Sequence, residues 1–345
     1  IGIDVATGGE LAAALAGGID PSKIEVHGNN KSITEIDRAV SIGVKTIVMD
    51  SLFEIDRVAA AARTHGKRQA VLIRLTPGIE AHTHESISTA HEDVKFGFSI
   101  ASGAAWAAVE KIAQLPELEL RGVHCHIGSQ ITTTAPYLDA LDKVLDLVAQ
   151  LKKEGIVIHH LDLGGGLGIS YSDETPPDIT EFTNTLLNRV AERGFGHLDV
   201  VLEPGRSLVG NAGVLLTTVE YLKPGAEKNF CIVDAAMTEL MRPALYEAHH
   251  GIVPVQKKTA TALTYDIVGP VCESGDWLGR DRHLAVEEGD LLAILSAGAY
   301  GFVMASNYNT RPKPAEIMVD GKNAYVIRAR ENTADLFSSE KTLPN

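Results

Sequence analysis

Short apolar runs alternate with amphipathic stretches over the first two hundred residues of the chain. Residues 3–6, 24–27, 46–50, 70–75, 120–127, 157–163 and 200–202 are brief and rich in Val, Ile or Leu. That is the composition of strands covered on both faces. Between them the pattern predicts helices with clear stops. One over 35–42 ends at Gly43, and one over 53–65 ends at Gly66. A third begins at Pro136, places Leu138, Leu141, Leu145 and Val148 on one face, and stops at Gly155. A fourth, over 180–193, turns Phe182, Leu186 and Val190 inward and stops at Gly194. Proline near a start and glycine just past an end punctuate helices in this way.

Strands that alternate with helices predict βαβ units and a parallel sheet. The sheet is either an open doubly wound one or a closed eight-stranded barrel. The pattern supplies seven strands, one short of a barrel, and residues 1–6 read as the end of a buried strand. The expectation is therefore an α/β fold with a (β/α)8 TIM-like barrel that lacks its first strand, in a chain that has lost its beginning. After Gly210 the texture changes. Residues 214–221, 230–234, 263–268, 291–295, 316–319 and 324–327 read as strands, separated by turn signals such as Asp320-Gly321. This predicts a second, mostly antiparallel β domain, with the division at 1–209 and 210–345.

A length of 345 residues agrees with two domains. Apolar residues make up 45% and charged residues 22%, the balance of a globular protein. The 31 basic and 45 acidic side chains sum to −14. So negative a surface repels phosphate backbones and anionic lipid, which argues against nucleic acid and membrane as partners. No apolar run approaches the roughly 20 residues of a membrane span. Cys125, Cys231 and Cys272 cannot form a paired framework and fit a reducing, cytoplasmic setting.

Candidate chemistry clusters at predicted strand ends. Gly164-Gly165-Gly166-Leu167-Gly168 follows a strand directly, where glycines form either a tight turn or a nest of N–H groups for a phosphate. Glu203-Pro204-Gly205-Arg206 ends the next strand, and at a barrel rim an acid and an arginine beside a glycine read as catalytic, against a surface ion pair at a turn. His124 and His126 share one face of a strand. They could be a metal pair completed by His159, His160 or Asp162, a ring stacked on a flat cofactor, or core histidines. His82/His84 and His249/His250 lie in polar stretches and read as solvated. Arg242 and Tyr246 share a face if their segment is helical and could grip a carboxylate. Tyr300 stands between Ala299 and Gly301 with room for a ligand, and Cys272 adjoins Glu273.

Taken in order, Asp4-Val-Ala-Thr-Gly-Gly-Glu10, His126-Ile-Gly-Ser129, Gly164-Gly-Gly166, Glu203-Pro-Gly-Arg206, Cys272-Glu273-Ser-Gly-Asp276 and Gly298-Ala-Tyr300 span nearly the whole chain. In these motifs the chain resembles the fold-type III pyridoxal-phosphate decarboxylases, and within them the enzymes that act on diaminopimelate. The resemblance implies an eight-stranded barrel, a following β domain and a homodimer with shared active sites. It implies that Ser129, Gly164, Gly165, Gly166, Pro204, Gly205 and Tyr300 line the cofactor, mostly at its phosphate. Glu203 would face the ring nitrogen, and His126 would stack on the ring. Arg206, Arg242, Tyr246, Glu273 and Tyr300 would meet the substrate, with Arg206 also near the cofactor. Cys272 and Glu273 would reach across the dimer, Cys272 returning a proton.

Diaminopimelate ends in a second amino-acid head, which an acid beside two arginines suits. A plain diamine would leave the arginines unpaired. The implied reaction is decarboxylation of meso-diaminopimelate to L-lysine, the last step of lysine biosynthesis. In the family the lysine that holds the cofactor precedes the motif at Asp4, so the chain as it stands is expected to be inactive. A metal-dependent barrel hydrolase using His124 and His126 is one alternative. A non-catalytic homologue that binds cofactor or partner is another.

Overall fold

Strand and helix succeed one another along the first two hundred residues of the computed structural model, which describes residues 1–79, 94–259 and 261–344. The order is β1 (Ile3–Val5), α1 (Gly8–Ala16), β2 (Ile24–Val26), α2 (Ile33–Ile42), β3 (Thr46–Met49), α3 (Leu52–Thr64) and β4 (Gln69–Thr76). It continues with β5 (Phe98–Ser99), α4 (Ala104–Ala113), β6 (Leu118–Cys125), α5 (Ala135–Lys153), β7 (His160–Asp162), α6 (Ile179–Glu192) and β8 (Asp199–Val201). Local chemistry sets the boundaries. Ser32 Oγ accepts the Glu35 N–H while the Glu35 carboxylate accepts the Ser32 N–H, a reciprocal cap that opens α2. Gly43 closes it at φ 78°, where only glycine is free of strain.

The strands form one parallel sheet in the order β1-β2-β3-β4-β6-β7-β8, with β5 attached to β4. Residues of β2 and β3 are buried throughout, as parallel strands under helices should be. The sheet curls as a TIM-like barrel wall. His27, just past β2, meets Glu203, just past β8, although four strands separate β2 and β8 along the path. Among the described residues no further strand joins β8 to β1.

Several elements of the first unit differ from expectation, the two-residue β5 among them. Helices α1 and α4 were not predicted because they are alanine-rich, and α1 buries only Leu11 and Ala14. The strand expected over 157–163 contracts to His160–Asp162, and Val157 is exposed.

The second part comprises α7 (Gly205–Val209), β9 (Leu215–Lys223), β10 (Asn229–Val233), α8 (Arg242–Tyr246), β11 (Ile252–Pro254), β12 (Leu263–Val268), β13 (Trp277–Leu284), β14 (Leu291–Ile294), β15 (Glu316–Asp320) and β16 (Asn323–Arg328). Six strands form a sheet in the order β11-β14-β9-β10-β12-β13, antiparallel except between β10 and β12. Here β11 and β13 are additions to the predicted set. Val219, Cys231, Ile267, Leu278, Leu292 and Ile294 form its core. Contacts divide the chain into Ile1–Gly168 with Pro176–Pro204, and Ile169–Thr175 with Gly205–Asn345. The boundary thus falls at Pro204, five residues before the one predicted, and a short segment after β7 belongs with the second unit.

Gly122 of β6 faces His160 of β7, and a Cβ there would stand 2.3 Å from the His160 carbonyl oxygen and 2.8 Å from Leu72. Gly122→Ala is expected to destabilise the first unit by about 1–3 kcal/mol through overpacking. Thermal melting followed by circular dichroism checks it, and an unchanged midpoint would show that the strands can part at no cost.

Candidate active site

Strand ends of the first unit converge on Glu203. Its backbone N–H donates to the Gly164 carbonyl at 2.8 Å, which continues the β7–β8 ladder past both strands. The carboxylate lies 3.0 Å from His27 Nε2 and 3.6 Å from His124 Nε2, and the two imidazoles meet edge to face at 4.9 Å. Three strands not adjacent in the sheet therefore deliver one cluster. Burial pushes His124 down to about 4, so its ring is neutral. Burial also opposes charge on Glu203, but the two imidazoles outweigh it and hold the carboxyl well below the usual carboxylate range. Asp162 moves the other way. Burial first, then the charge of Glu203, raise it well above the carboxylate range. The two acids thus share one negative charge, and it resides on Glu203.

Several buried atoms of this cluster complete no well-directed hydrogen bond among the described residues: His27 Nε2, both ring nitrogens of His124, Asp162 Oδ2 and Glu203 Oε1. Buried polar atoms whose contacts are poorly directed leave capacity for another polar group. A protonated heterocyclic nitrogen, as in pyridoxal phosphate, satisfies an ionised carboxylate in such a place.

The glycine loop packs beside this cluster. Gly164 has φ 66° and Gly166 φ 105°, and a Cβ at Gly164, Gly165 or Gly166 would lie 2.5, 2.2 or 2.3 Å from a backbone carbonyl oxygen. Those oxygens belong to Cys125, Glu203 and Gly128 respectively, so the loops after β6, β7 and β8 touch main chain to main chain. The N–H of Gly164 donates to Asp162 Oδ1 at 2.8 Å, and that of Gly165 donates to His126 Nδ1 at 3.2 Å. This narrows the nest expected from the sequence, because two of its donors are engaged within the protein. His126, just past β6, is pushed down to about 4 by burial, which suits an acceptor nitrogen. Ser129 follows in the same loop, one residue past Gly128.

The metal pair that was one of the readings of His124 and His126 finds no support in the geometry. Among the described residues the groups able to share an ion are His27–His124–Glu203 and Glu25–His27–Asp162, neither of which includes His126. Alternation put His124 and His126 on one face, but β6 ends at Cys125, so the strand periodicity does not extend to His126. His159 is exposed, and His160 pairs with Asp199. His27 was not singled out from the sequence. Its place at the end of the predicted strand 24–27 was the available signal.

The second unit gathers other candidates. Arg206 and Arg242 are both buried. Arg206 lies 4.7 Å from the Tyr300 ring centroid, and Arg242 lies 4.3 Å from that of Tyr171. Arg242 and Tyr246 do bracket a helical turn, α8. Tyr300 sits at φ 54°, a left-handed conformation unusual outside glycine. Among the described residues no carboxylate pairs with Arg242. Glu273 instead accepts from the Tyr308 hydroxyl at 2.6 Å, and the Cys272 N–H reaches Asn309 Oδ1 at 3.4 Å, both residues being exposed. The reading of His249/His250 as solvated is half corrected. His249 is exposed, whereas His250 is fully buried against Arg242 and Tyr171. His82 and His84 lie outside the described residues.

A family model described as the pyridoxal binding domain of pyridoxal-dependent decarboxylases matches residues 1–210. The diaminopimelate decarboxylase of Vibrio cholerae is 47% identical over 344 residues, 99% of this chain and 81% of that protein. The same enzyme of Neisseria meningitidis serogroup A is 50% identical over 98% of this chain and 82% of its own length. Among solved structures, diaminopimelate decarboxylase of Helicobacter pylori complexed with L-lysine superposes with a TM-score of 0.93 at 37% identity, covering 98% of this chain and 84% of that one. That of M. jannaschii in complex with L-lysine gives 0.94 at 38% identity, covering 99% and 80%. With a buried ionised carboxylate at the barrel rim and relatives aligned over almost its full length, the chain belongs to the diaminopimelate decarboxylase family of pyridoxal-dependent decarboxylases.

Proposed function

We propose that the protein decarboxylates meso-diaminopimelate to L-lysine with pyridoxal phosphate as cofactor, the closing step of lysine biosynthesis. Glu203 carries this reading: a buried carboxylate that stays ionised and has an oxygen without a directed partner. When bound, pyridoxal phosphate supplies the electron sink for the pair left behind as CO2 departs. The chain's own groups do the rest. Glu203 would hold a proton on the ring nitrogen, and His126 would hold the ring. Gly164, Gly165, Gly166, Ser129, Pro204, Gly205 and Tyr300 surround the phosphate side, with Arg206 adding charge. Arg242, Arg206, Tyr246, Tyr300 and Glu273 recognise the distal amino-acid head, and Cys272 returns a proton to the substrate carbon. The H. pylori and M. jannaschii structures contain L-lysine, the product expected here.

The reading extends to assembly. The first unit is the cofactor-binding barrel and the second the β domain of a homodimer, with the division at Pro204 and not at 209. Cys272 and Glu273 are both exposed, which supports a role across the dimer. The β15–β16 hairpin exposes Ile317, Met318, Val319, Tyr325, Val326 and Ile327, an apolar surface that calls for a cover. Three unpaired cysteines suit the cytoplasm.

Release of CO2 from meso-diaminopimelate by the holoenzyme is the direct test, and its absence would reject the activity. Gly165→Ala is expected to lower cofactor loading, read from the absorbance of bound pyridoxal phosphate, because its Cβ would stand 2.2 Å from the Glu203 carbonyl. Retained loading would detach the loop from the cofactor. Arg242→Ala should reduce kcat/KM for diaminopimelate by tens- to thousands-fold, since removing one partner of a desolvated charge pair costs about 2–5 kcal/mol. An unchanged value would remove Arg242 from the site. Mixing Cys272→Ala with a variant lacking the cofactor-holding lysine should restore part of the activity through hybrid sites. If heterodimers form and stay inactive, the site lies within one chain.

A further inference from the structure

We infer that Tyr171 and His250 are positioning residues that hold Arg206 and Arg242 as a matched pair for the distal carboxylate of the substrate. This deepens the proposed function and rests on that reading of the two arginines. Tyr171 serves both guanidinium groups at once. Its hydroxyl oxygen accepts from Arg206 Nη1 at 2.5 Å, while Arg242 stacks over its ring with Cζ 4.3 Å from the centroid. A cation over the ring face is attracted by the negative face of the π system, so one side chain binds two cations in two ways. Tyr171 is only 8% exposed and belongs with the second unit, although it follows β7 in the chain. Its loop is pinned by Glu174, whose carboxylate accepts from the N–H groups of Tyr171 at 2.9 Å and Ser172 at 2.7 Å.

His250 completes the arrangement with one allowed tautomer. Its Nδ1 lies 2.8 Å from the Leu295 carbonyl oxygen, which can only accept, so Nδ1 carries the hydrogen. Nε2 is then a lone pair, and it accepts from Arg242 Nη1 at 2.8 Å. The ring also meets Tyr171 edge to face at 5.2 Å. Arg242 is thus gripped by a ring face on one side and an in-plane acceptor on the other. Both contacts are neutral, which leaves the full positive charge of the guanidinium available to an incoming carboxylate. An acid in either place would have cancelled it.

Recognition of the distal head has a chemical consequence. L-lysine, the product, keeps the carboxylate of that head, whereas cadaverine has none. Tyr171→Phe removes the hydroxyl bond to Arg206, and His250→Ala removes the acceptor for Arg242. Each is expected to raise both KM for meso-diaminopimelate and the inhibition constant of L-lysine by about tenfold or more, the cost of a hydrogen bond to a charged group. Inhibition by cadaverine and the absorbance of bound cofactor should stay at wild-type values. His250→Gln, which keeps an acceptor for Arg242 and a donor for Leu295, should recover part of the loss. Equal weakening of L-lysine and cadaverine, or loss of cofactor, would show a general structural role and overturn the inference, as would unchanged constants in both variants. A wild-type holoenzyme that does not turn over meso-diaminopimelate would instead reject the proposed function.

Discussion

Glu203 carries a negative charge with only 15% of its side chain exposed, and burial by itself would protonate it. What keeps it ionised is the company of two imidazoles, and these need placing in turn. His27 donates its backbone N–H to Val5 at 2.7 Å, which continues the β1–β2 ladder. The next residue, Gly28, gives its carbonyl to the buried Lys31 ammonium at 2.6 Å. That ammonium spends its other hydrogens on the Val48 carbonyl and Glu54, each at 2.7 Å, so the loop after β2 is tied to the neighbouring β3 and α3. A buried lysine with three acceptors is satisfied in full, and it fixes the backbone beside His27. The charge on Glu203 thus depends on several strand ends remaining in register.

The same demand explains the close approach of the loops that follow β6, β7 and β8. Glu203 can reach both histidines because its own main chain lies against Gly165, and the Gly164 carbonyl accepts its N–H. Any side chain at Gly164, Gly165 or Gly166 would wedge the strand ends apart. His126 is drawn into the same contact through the Gly165 N–H. The glycine run therefore serves packing and the candidate cofactor site together, which is why two readings of it competed at the level of sequence.

Legibility in the sequence followed the strength of local signals. The stops at Gly43, Gly155 and Gly194 lie one or two residues past the helix ends, because a residue of positive φ leaves a visible glycine. Apolar runs marked the strands for the same reason, since burial on both faces leaves few polar positions. Helix α1 was silent because alanine supplies propensity with little stripe, and in α4 two of the four buried positions, Ala105 and Ala108, are alanine, which marks a stripe weakly. Site residues in family motifs were legible as motifs, but their partners were not. His27, Tyr171 and His250 act through contacts with residues distant in sequence, and His250 was disguised by its neighbours His249 and Glu247. Alternation misled at His126, because β6 ends one residue earlier.

The second unit poses an electrostatic question that the first does not. Arg206 and Arg242 lie near enough that the charge on the one, added to burial, lowers the proton affinity of the other. Two buried cations side by side are unfavourable by desolvation and by mutual repulsion. A fold stabilised for its own sake would place an acid between them, as Glu54 stands against Lys31 in the first unit. Here the near neighbours of Arg242 are Tyr171 and His250, which attract it without neutralising it. An anion that binds against Arg242 offsets this cost. Free energy withheld from folding is then released on binding, and a ligand without the carboxylate gains none of it. Discrimination between an amino-acid head and a bare amine follows from that difference, and it requires that Tyr171 and His250 beside Arg242 be neutral.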